Sequence, residues 1–513
     1  MTLISNSFFY NARCTPDKLA IWCEGEKMTY GQLGVFVRKW INAFAAKGVM
    51  EGDHIGVLLP NCIEFVALIF VAAELGVVLV PMNTSLPSSA VHRAFQIANV
   101  KHVIAKTYIL ESLFSSNTCD FSFVNGLWVS IDDKFASGVV LHKLLKCFTC
   151  DFVPNPTQDD APLILTMTSG STGDPKPIIL GQNTKFNRAI AAVQLYEITS
   201  SDKVLAATPL YHSLAERLVL IPLLIGGTSV LMNRYSPLEW LKCVNEQSVT
   251  FTIAVSSQLR QISVQLANAA NETKIRSLRC IVASSEQLET QVKTNLLSRI
   301  HCQFHECYGT SEIAIASNLN HALDFKKLDS VGKPAPGVEI KILLKNGKIA
   351  EAGETGEIIC KTPMIFGGYF NRPDLTKEAM YEDYFRTGDI GRMDDEGYLY
   401  FMGRIKDVII TGGINIYPKD IESVLLGHPS ILECAVFPIH DDKLGEIVAV
   451  AIVSRSPESF DKRKIRFYCA KHLADFQQPR RYFLIDVLPK NSVEKVMKRS
   501  LSILFAEKKM REI

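Results

Sequence analysis

The segment Phe65-Val66-Ala67-Leu68-Ile69-Phe70-Val71-Ala72-Ala73-Glu74-Leu75-Gly76-Val77-Val78-Leu79-Val80-Pro81 constrains the fold more than any other part of the chain. It is apolar almost throughout, so it either crosses a bilayer or is enclosed by protein on every side. A span needs about 20 apolar residues in one run. Here Glu74 lies inside the run, Gly76 is a helix stop and Pro81 closes the segment. The segment therefore reads as a helix that is hydrophobic all round, followed by a strand covered on both faces. Such a pair needs layers above and below it, which points to an α/β architecture.

Other segments agree. Thr29 with Gln32 three residues later forms a capping box, and Leu33, Phe36, Val37, Trp40, Ile41 and Phe44 then recur at helical spacing until Gly48. Ile55-Gly56-Val57-Leu58-Leu59 is a short unalternated run suited to a buried strand. Beyond about residue 405 the texture changes. A helix is expected from Pro418, with Ile421, Val424 and Leu425 inward. Cys434–Phe437 and Ile447–Ile452 read as paired strands around the polar turn His440–Lys443, giving a small α+β region.

The length of 513 residues implies about three packed units at roughly 150 residues each. Lys plus Arg number 55 and Asp plus Glu 53, a net charge of +2, which excludes a global polyanion-binding surface and so nucleic acid as a general partner. The 13 cysteines are scattered and lack the spacing of a disulfide framework, which fits a reducing compartment. Cys147-Phe148-Thr149-Cys150 has no second pair nearby for a zinc site and reads as two incidental thiols. No signal peptide or transmembrane segment is expected, and the cytoplasm is the expected location.

The strongest local signal for chemistry is Thr168-Ser169-Gly170-Ser171-Thr172-Gly173-Asp174-Pro175-Lys176. Glycines let backbone N–H groups crowd an anion, hydroxyls donate, and lysine adds a mobile charge, which suits a polyphosphate. A solvated Ser/Gly linker has the same composition, and the Walker spacing is absent. The segment follows the apolar Leu163-Ile164-Leu165, so a strand running into a loop is expected. Four further clusters follow. In Tyr308-Gly309-Thr310-Ser311-Glu312 an aromatic ring suits stacking on a base and the acid suits Mg2+ or proton transfer. Thr387-Gly388-Asp389 sets an acid at a tight turn. Gly403-Arg404-Ile405-Lys406-Asp407 is followed by Thr411-Gly412-Gly413, and Pro489-Lys490-Asn491-Ser492-Val493-Glu494-Lys495 closes the series. Taken singly, each is also an ordinary turn or charged surface.

In this order the clusters resemble the acyl-adenylate-forming (AMP-binding) superfamily, which includes acyl-CoA synthetases, aryl-CoA ligases, luciferases and the adenylation domains of peptide synthetases. The resemblance extends from Met28-Thr29-Tyr30 to Lys495. It implies a large N-terminal part of several subdomains with mixed sheets, 1–405, and a small mobile α+β C-terminal domain, 406–513. It also implies a two-step reaction. A carboxylate first joins the α-phosphate of ATP with release of pyrophosphate, and the acyl group then passes from AMP to the thiol of coenzyme A or of a carrier-protein phosphopantetheine.

By the same resemblance Thr168, Ser169, Gly170, Ser171, Thr172, Gly173 and Lys176 would cradle the β- and γ-phosphates. Tyr308 and Gly309 would flank adenine, Ser311 would supply a hydroxyl, and Glu312 would bind Mg2+. Asp389 would hold the ribose hydroxyls with Arg404 assisting. Lys406 occupies the hinge position, Gly412 and Gly413 would line the thiol channel, and Lys495 would bridge the carboxylate and the α-phosphate. Pro209-Leu210-Tyr211-His212-Ser213 matches the family's aromatic motif, where His212 would gate or orient the carboxylate; a packed loop histidine is the other reading.

Three departures stand out. Glu494 precedes the lysine where the family usually has Gly, Lys176-Pro177 replaces a common Lys-Gly, and Ala283-Ser284-Ser285-Glu286-Gln287-Leu288 replaces a glycine-rich segment. Amino-acid-activating members carry an Asp near the aromatic motif, and none occurs between Pro209 and Glu216. A fatty or aryl acid is therefore expected as substrate. An acyl carrier protein as acceptor, or a degenerate adenylate-binding homologue with weak turnover, are the alternatives.

Overall fold

The computed structural model describes residues 3–115, 119–132, 138–151, 160–169, 175–268, 275–286, 288–455, 460–490, 496–507 and 509–513. The chain divides into two compact units, Met1–Glu339 with Lys361–Phe385, and Ile340–Cys360 with Arg386–Ile513.

The first unit is α/β and contains two large sheets. Among the described residues one sheet has seven strands, in spatial order Val139–Val140, Trp128–Ser130, His102–Ala105, His54–Leu58, Val78–Pro81, Pro162–Ser169 and Pro175–Gly181. The other has nine: Lys333–Pro334, Ser317–Asn320, Gln303–Tyr308, Cys280–Ser284, Phe251–Val255, Lys203–Ala206, Thr228–Leu231, Leu19–Cys23 and Glu26–Thr29. The central pairings are parallel, including Val78–Pro81 with Pro162–Ser169 and Cys280–Ser284 with Gln303–Tyr308. Parallel strands end on a common edge, and loops at that carboxyl edge are where open α/β sheets bind ligands.

The apolar run folds as expected. Ile63–Leu75 is a helix in which every residue but Glu64 is buried, and Gly76 caps it at φ 67°. The strand Val78–Pro81 follows and is buried at all four positions. Burial pushes the Glu74 carboxyl above its ordinary pKa, which eases its enclosure. The capping box is also present. Gln32 N donates to Thr29 Oγ1 at 3.3 Å and Thr29 N to Gln32 Oε1 at 2.9 Å, opening the Tyr30–Ala46 helix. No helix among the described residues is long and apolar enough to cross a membrane.

The second unit is α+β. Its larger sheet orders Ile414–Ile416, Ile409–Thr411, Gly445–Ser454, Arg481–Leu484 and Arg511–Glu512, with Ile431–Asp441 also paired to Gly445–Ser454. The expected hairpin around His440–Lys443 is this last pair, antiparallel from Ile431↔Ser454 to Asp441↔Gly445. The Pro418–Leu426 helix buries Ile421 and Leu425, while Val424 is only half-buried. Ile409, Ile416, Ile421, Leu425, Val436, Val450 and Ile465 share one core there.

One expectation needs correction. The strand beginning at Leu163 does not give way at Thr168. The Pro162–Ser169 strand pairs antiparallel with Pro175–Gly181, and the ladder continues to Thr168↔Lys176 and Ser169↔Pro175. Thr and Ser are compatible with a pleated ladder, so their presence at 168 and 169 does not by itself end a strand.

Candidate functional site

The hairpin places Thr168 and Ser169 at the end of the outgoing strand and Lys176, half-buried, at the start of the returning one. Gly170, Ser171, Thr172 and Gly173 lie outside the described residues. The returning strand is tied on its far side to the segment 367–370. Gly367 N donates to Ile179 O at 2.7 Å, Ile179 N to Gly368 O at 2.9 Å, and Phe370 N to Pro177 O at 2.9 Å. That segment carries Tyr369, whose hydroxyl donates to Glu312 Oε1 at 3.2 Å. A short chain of contacts therefore joins the hydroxyl-rich hairpin to Glu312 within the first unit.

Glu312 lies in the loop that leaves the carboxyl end of the Gln303–Tyr308 strand before the chain returns as Ser317–Asn320. The loop is tightly wound. Ala316 N donates to Tyr308 O at 2.8 Å and Ala314 N to Thr310 O at 2.9 Å, with Ala314 at φ 60°. A Cβ on Gly309 would fall 1.6 Å from the Ala314 carbonyl oxygen, so only glycine fits there. Tyr308 and Glu312 are half-buried, and Gly309 and Ser311 are exposed. Thr310 Oγ1 is buried and has no hydrogen-bond partner among the described residues.

His212 is the last residue before the Ser213–Ile225 helix. Its Nε2 is buried and also lacks a partner among the described residues. Burial pulls its pKa down to about 4, so the ring is neutral at physiological pH. Two orphaned polar atoms, on Thr310 and His212, leave hydrogen-bonding capacity for polar ligand atoms. The carboxylate of Glu312 is a hard oxygen donor of the kind Mg2+ takes, and the hairpin's hydroxyls and Lys176 suit phosphate oxygens. The donor set thus fits ATP with Mg2+.

The Gln182–Leu195 helix contributes two residues that pattern analysis did not identify. Arg188, 1% exposed, donates from Nη2 to Glu312 O at 2.8 Å, from Nε to Met364 O at 2.9 Å and from Nη1 to Ser213 Oγ at 3.3 Å. Burial, and then repulsion from Arg217, pulls its pKa down to about 9. One turn earlier Lys185 Nζ donates to Glu216 Oε2 at 2.5 Å, both side chains fully enclosed. The signal available in sequence was the pair Lys185 and Arg188 at spacing i, i+3 on a helix that also presents Ala189 and Ala192 to the core.

The segment that departs from the family's glycine-rich pattern closes the Cys280–Ser284 strand. Ser285 takes φ 82°, a conformation glycine adopts without strain. Ser256 Oγ donates to Glu286 O at 2.5 Å, and Leu288 N donates to Glu306 Oε1 at 3.1 Å. Glu306 is itself held by Lys293 at 2.6 Å and His321 at 2.7 Å.

In the second unit Asp389 is buried, with Oδ1 3.4 Å from Arg404 Nε across the antiparallel pair Asp389↔Arg404. Its amide donates to Thr387 Oγ1 at 3.0 Å, and Gly388 turns the chain at φ 69°. Lys406 is exposed in the short 3-10 turn Ile405–Asp407. Gly412 and Gly413, at φ 56° and 85°, link Ile409–Thr411 to Ile414–Ile416 as a two-residue hairpin turn, which requires positive φ at both positions. Glu494 and Lys495 lie outside the described residues. The site residues thus fall in two groups, Thr168 to Glu312 with His212 in the first unit and Asp389 to Gly413 in the second.

Sequence and structure comparisons agree on relationship. The profile of a family described as AMP-binding enzyme matches residues 8–370, and that of the AMP-binding enzyme C-terminal domain matches 420–495. The chain is 28% identical to a long-chain-fatty-acid–CoA ligase of Mycobacterium tuberculosis over 93% of its length and 92% of the relative's. It is 30% identical to a 2-succinylbenzoate–CoA ligase of Bacillus licheniformis over 96% of its length and 98% of the relative's. Among solved structures, o-succinylbenzoate CoA synthetase from Bacillus subtilis in complex with an acyl-adenylate intermediate has a TM-score of 0.84 at 28% identity, covering 97% of each chain. The same enzyme with ATP and a magnesium ion has a TM-score of 0.85 at 27% identity, covering 97% of this chain and 99% of that one.

Proposed function

Because the chain belongs to the AMP-binding enzyme family, we propose that it is an acid:CoA ligase. It activates a carboxylic acid as acyl-AMP at the expense of ATP, releases pyrophosphate, and transfers the acyl group to the thiol of coenzyme A. The observation that carries the site assignment is the Tyr369–Glu312 hydrogen bond, because it links the phosphate-type hairpin to the acid proposed to hold the metal.

Both reactants of the first step are anions, so their approach needs positive charge and fixed geometry. Mg2+, when bound, neutralises phosphate charge. Lys176 and the hydroxyls of Thr168 and Ser169, with Gly170, Ser171, Thr172 and Gly173, hold the β- and γ-phosphates. Tyr308 and Gly309 flank the base, Ser311 adds a hydroxyl, and Glu312 is the metal ligand. His212, neutral by burial, orients the substrate carboxylate as a hydrogen-bonding group rather than a charge. Asp389 with Arg404 takes the ribose hydroxyls, and Lys495 delivers an ammonium between carboxylate and α-phosphate. Residues 1–405 form the body of the enzyme and 406–513 the part that turns about Lys406 between half-reactions. This movement admits the thiol past Gly412 and Gly413. Fixed orientation of the reactants is worth about 7–11 kcal/mol in such reactions.

The acid is fatty or aryl rather than an amino acid. The relatives named above act on acids of these two kinds, and the acid nearest the aromatic motif, Glu216, is engaged by Lys185 and so is not available to a substrate amine. A carrier-protein phosphopantetheine offers the same thiol and is the alternative acceptor. All 13 cysteines are free, which supports a cytoplasmic location. The test is incubation with ATP, Mg2+, coenzyme A and a panel of fatty, aryl and amino acids. Acid-dependent release of AMP with a matching acyl-CoA mass is expected. Turnover confined to amino acids overturns the substrate class, and no acid-dependent AMP release from any of them overturns the function.

A further inference from the structure

One buried amide governs the turn that carries His212. Asn61 follows the His54–Leu58 strand of the seven-stranded sheet and is 3% exposed. Its Nδ2 donates to Thr208 O at 2.9 Å and to Met232 O at 2.9 Å, and its Oδ1 accepts from Leu210 N at 2.7 Å. Its own carbonyl accepts from Cys23 Sγ at 3.6 Å. Cys23 ends the Leu19–Cys23 strand, Met232 directly follows Thr228–Leu231, and Thr208 stands just beyond Lys203–Ala206. These three strands are neighbours in the nine-stranded sheet and run parallel. One residue from the first sheet is thus seated on the carboxyl ends of three adjacent strands of the second, the edge at which open α/β sheets take ligands.

The arrangement dictates the residue type. Two carbonyls need two donors and one backbone N–H needs an acceptor, and among side chains only a primary amide supplies all of these from one planar group. What the amide fixes is the backbone on both sides of Pro209, through the carbonyl of Thr208 and the N–H of Leu210. Pro209 O in turn accepts from His212 N at 3.0 Å, and His212 O accepts from Ala215 N at 3.0 Å where the Ser213–Ile225 helix opens. The backbone that bears the His212 ring therefore hangs on the 208–210 turn, and the turn hangs on Asn61. The His212 Nε2 is the buried atom left without a partner among the described residues, so its placement matters to whatever polar group it meets.

We propose that Asn61 is a positioning residue for activation of the acid, holding the 208–212 turn so that His212 Nε2 meets the substrate carboxylate. The inference rests on the ligase reading above and goes beyond it by assigning a residue that acts through His212 rather than on a reactant.

The test uses two substitutions. Asn61→Asp keeps the size and the acceptor but replaces the donating NH2 by an oxygen set against two carbonyls. Asn61→Gln keeps the amide and moves it by one methylene. Acid-dependent AMP release is measured with the best acid of the fatty and aryl panel. In each variant kcat/KM for the acid should fall about tenfold or more, as expected of a misplaced orienting group. KM for MgATP should stay within about twofold of the wild type, because the turn serves the acid and not the nucleotide. Adding Asn61→Asp to His212→Gln should cost about twofold or less beyond His212→Gln alone, since the effect passes through that ring.

Losses that multiply in the double variant overturn the proposal. So does an equal weakening toward MgATP, or unchanged kinetics in the single variants. Should neither variant give a cooperative thermal melt, Asn61 serves the fold alone and the proposal falls. Should no acid support AMP release by the wild type, the ligase reading fails, and NMR of 13C-histidine-labelled protein decides the role of Asn61 separately. The His212 ring signal, assigned by its loss in His212→Gln, should then shift in Asn61→Asp while that of His305 holds. An unmoved His212 signal overturns the proposal.

Discussion

The guanidinium of Arg188 donates to the backbone carbonyl of Glu312 at 2.8 Å, and so fixes from beneath the loop that carries the proposed magnesium ligand. The same side chain holds Met364 O and Ser213 Oγ, which ties together the 364–370 segment, the start of the Ser213–Ile225 helix and the 309–316 loop. Arg188→Met leaves the buried Met364 carbonyl without its donor, at about 1–3 kcal/mol, and leaves the Glu312 carbonyl held by Phe366 N alone. A lowered urea midpoint and a rise of about tenfold or more in KM for MgATP are expected. An unchanged midpoint and an unchanged KM would show that Arg188 positions nothing.

Tyr369 acts on the same acid from the other side. Tyr369→Phe removes only the hydroxyl that donates to Glu312 Oε1 and keeps the ring, which packs edge-on against Phe366 at 4.9 Å. Stability should change by about 1 kcal/mol or less. The Mg2+ concentration for half-maximal activity should rise several-fold. Identical Mg2+ dependence in the variant would separate Tyr369 from the site.

The Lys185–Glu216 pair is fully buried at 2.5 Å. Removing one partner strands the other, so Glu216→Gln and Lys185→Met should each cost about 3–5 kcal/mol. The double replacement Lys185→Met with Glu216→Leu should cost far less than the sum, because no charge is then left unpaired. Additive losses in urea unfolding would mean that the two groups do not depend on each other.

Burial holds His212 and His305 down to about 4, below the ordinary value of 6.5. Between those values the unfolded chain binds more protons than the folded one. Their neutral state therefore contributes stability that is complete above about pH 6.5, declines as pH falls and is lost near pH 4. Unfolding free energy measured at pH 7, 5.5 and 4.5 should decrease in that order, and His305→Phe should flatten the slope. Because His212 is already neutral, the activity profile should have no inflection near 6.5 that His212→Gln removes. Such an inflection would mean that the ring is charged when it works.

Features set by neighbouring residues were legible in the sequence. Thr29 and Gln32 form their box because both partners lie within one turn, and Phe65–Pro81 is enclosed because its side chains have nothing to offer water. The strand ending at Ser169 was cut short by reading composition, since Thr168 and Ser169 resemble loop residues until a partner strand is present. Arg188 and Lys185 were missed for a related reason. A charge on a helix counts as solvated unless its partner is known, and Glu312, Met364 and Glu216 come from distant segments. Tyr369 likewise gains its meaning only from the contacts of 367–370 with the strand Pro175–Gly181.

The central claim is that acid and ATP react before any thiol is present. Exchange of labelled pyrophosphate into ATP, measured with Mg2+ and a fatty or aryl acid but without coenzyme A, tests it most directly. The account predicts exchange that requires the acid, proceeds without coenzyme A and is severely depressed in Lys495→Ala, while that variant still converts supplied acyl-AMP to the thioester. Exchange that appears only when coenzyme A is added, or ADP as the nucleotide product, would contradict it.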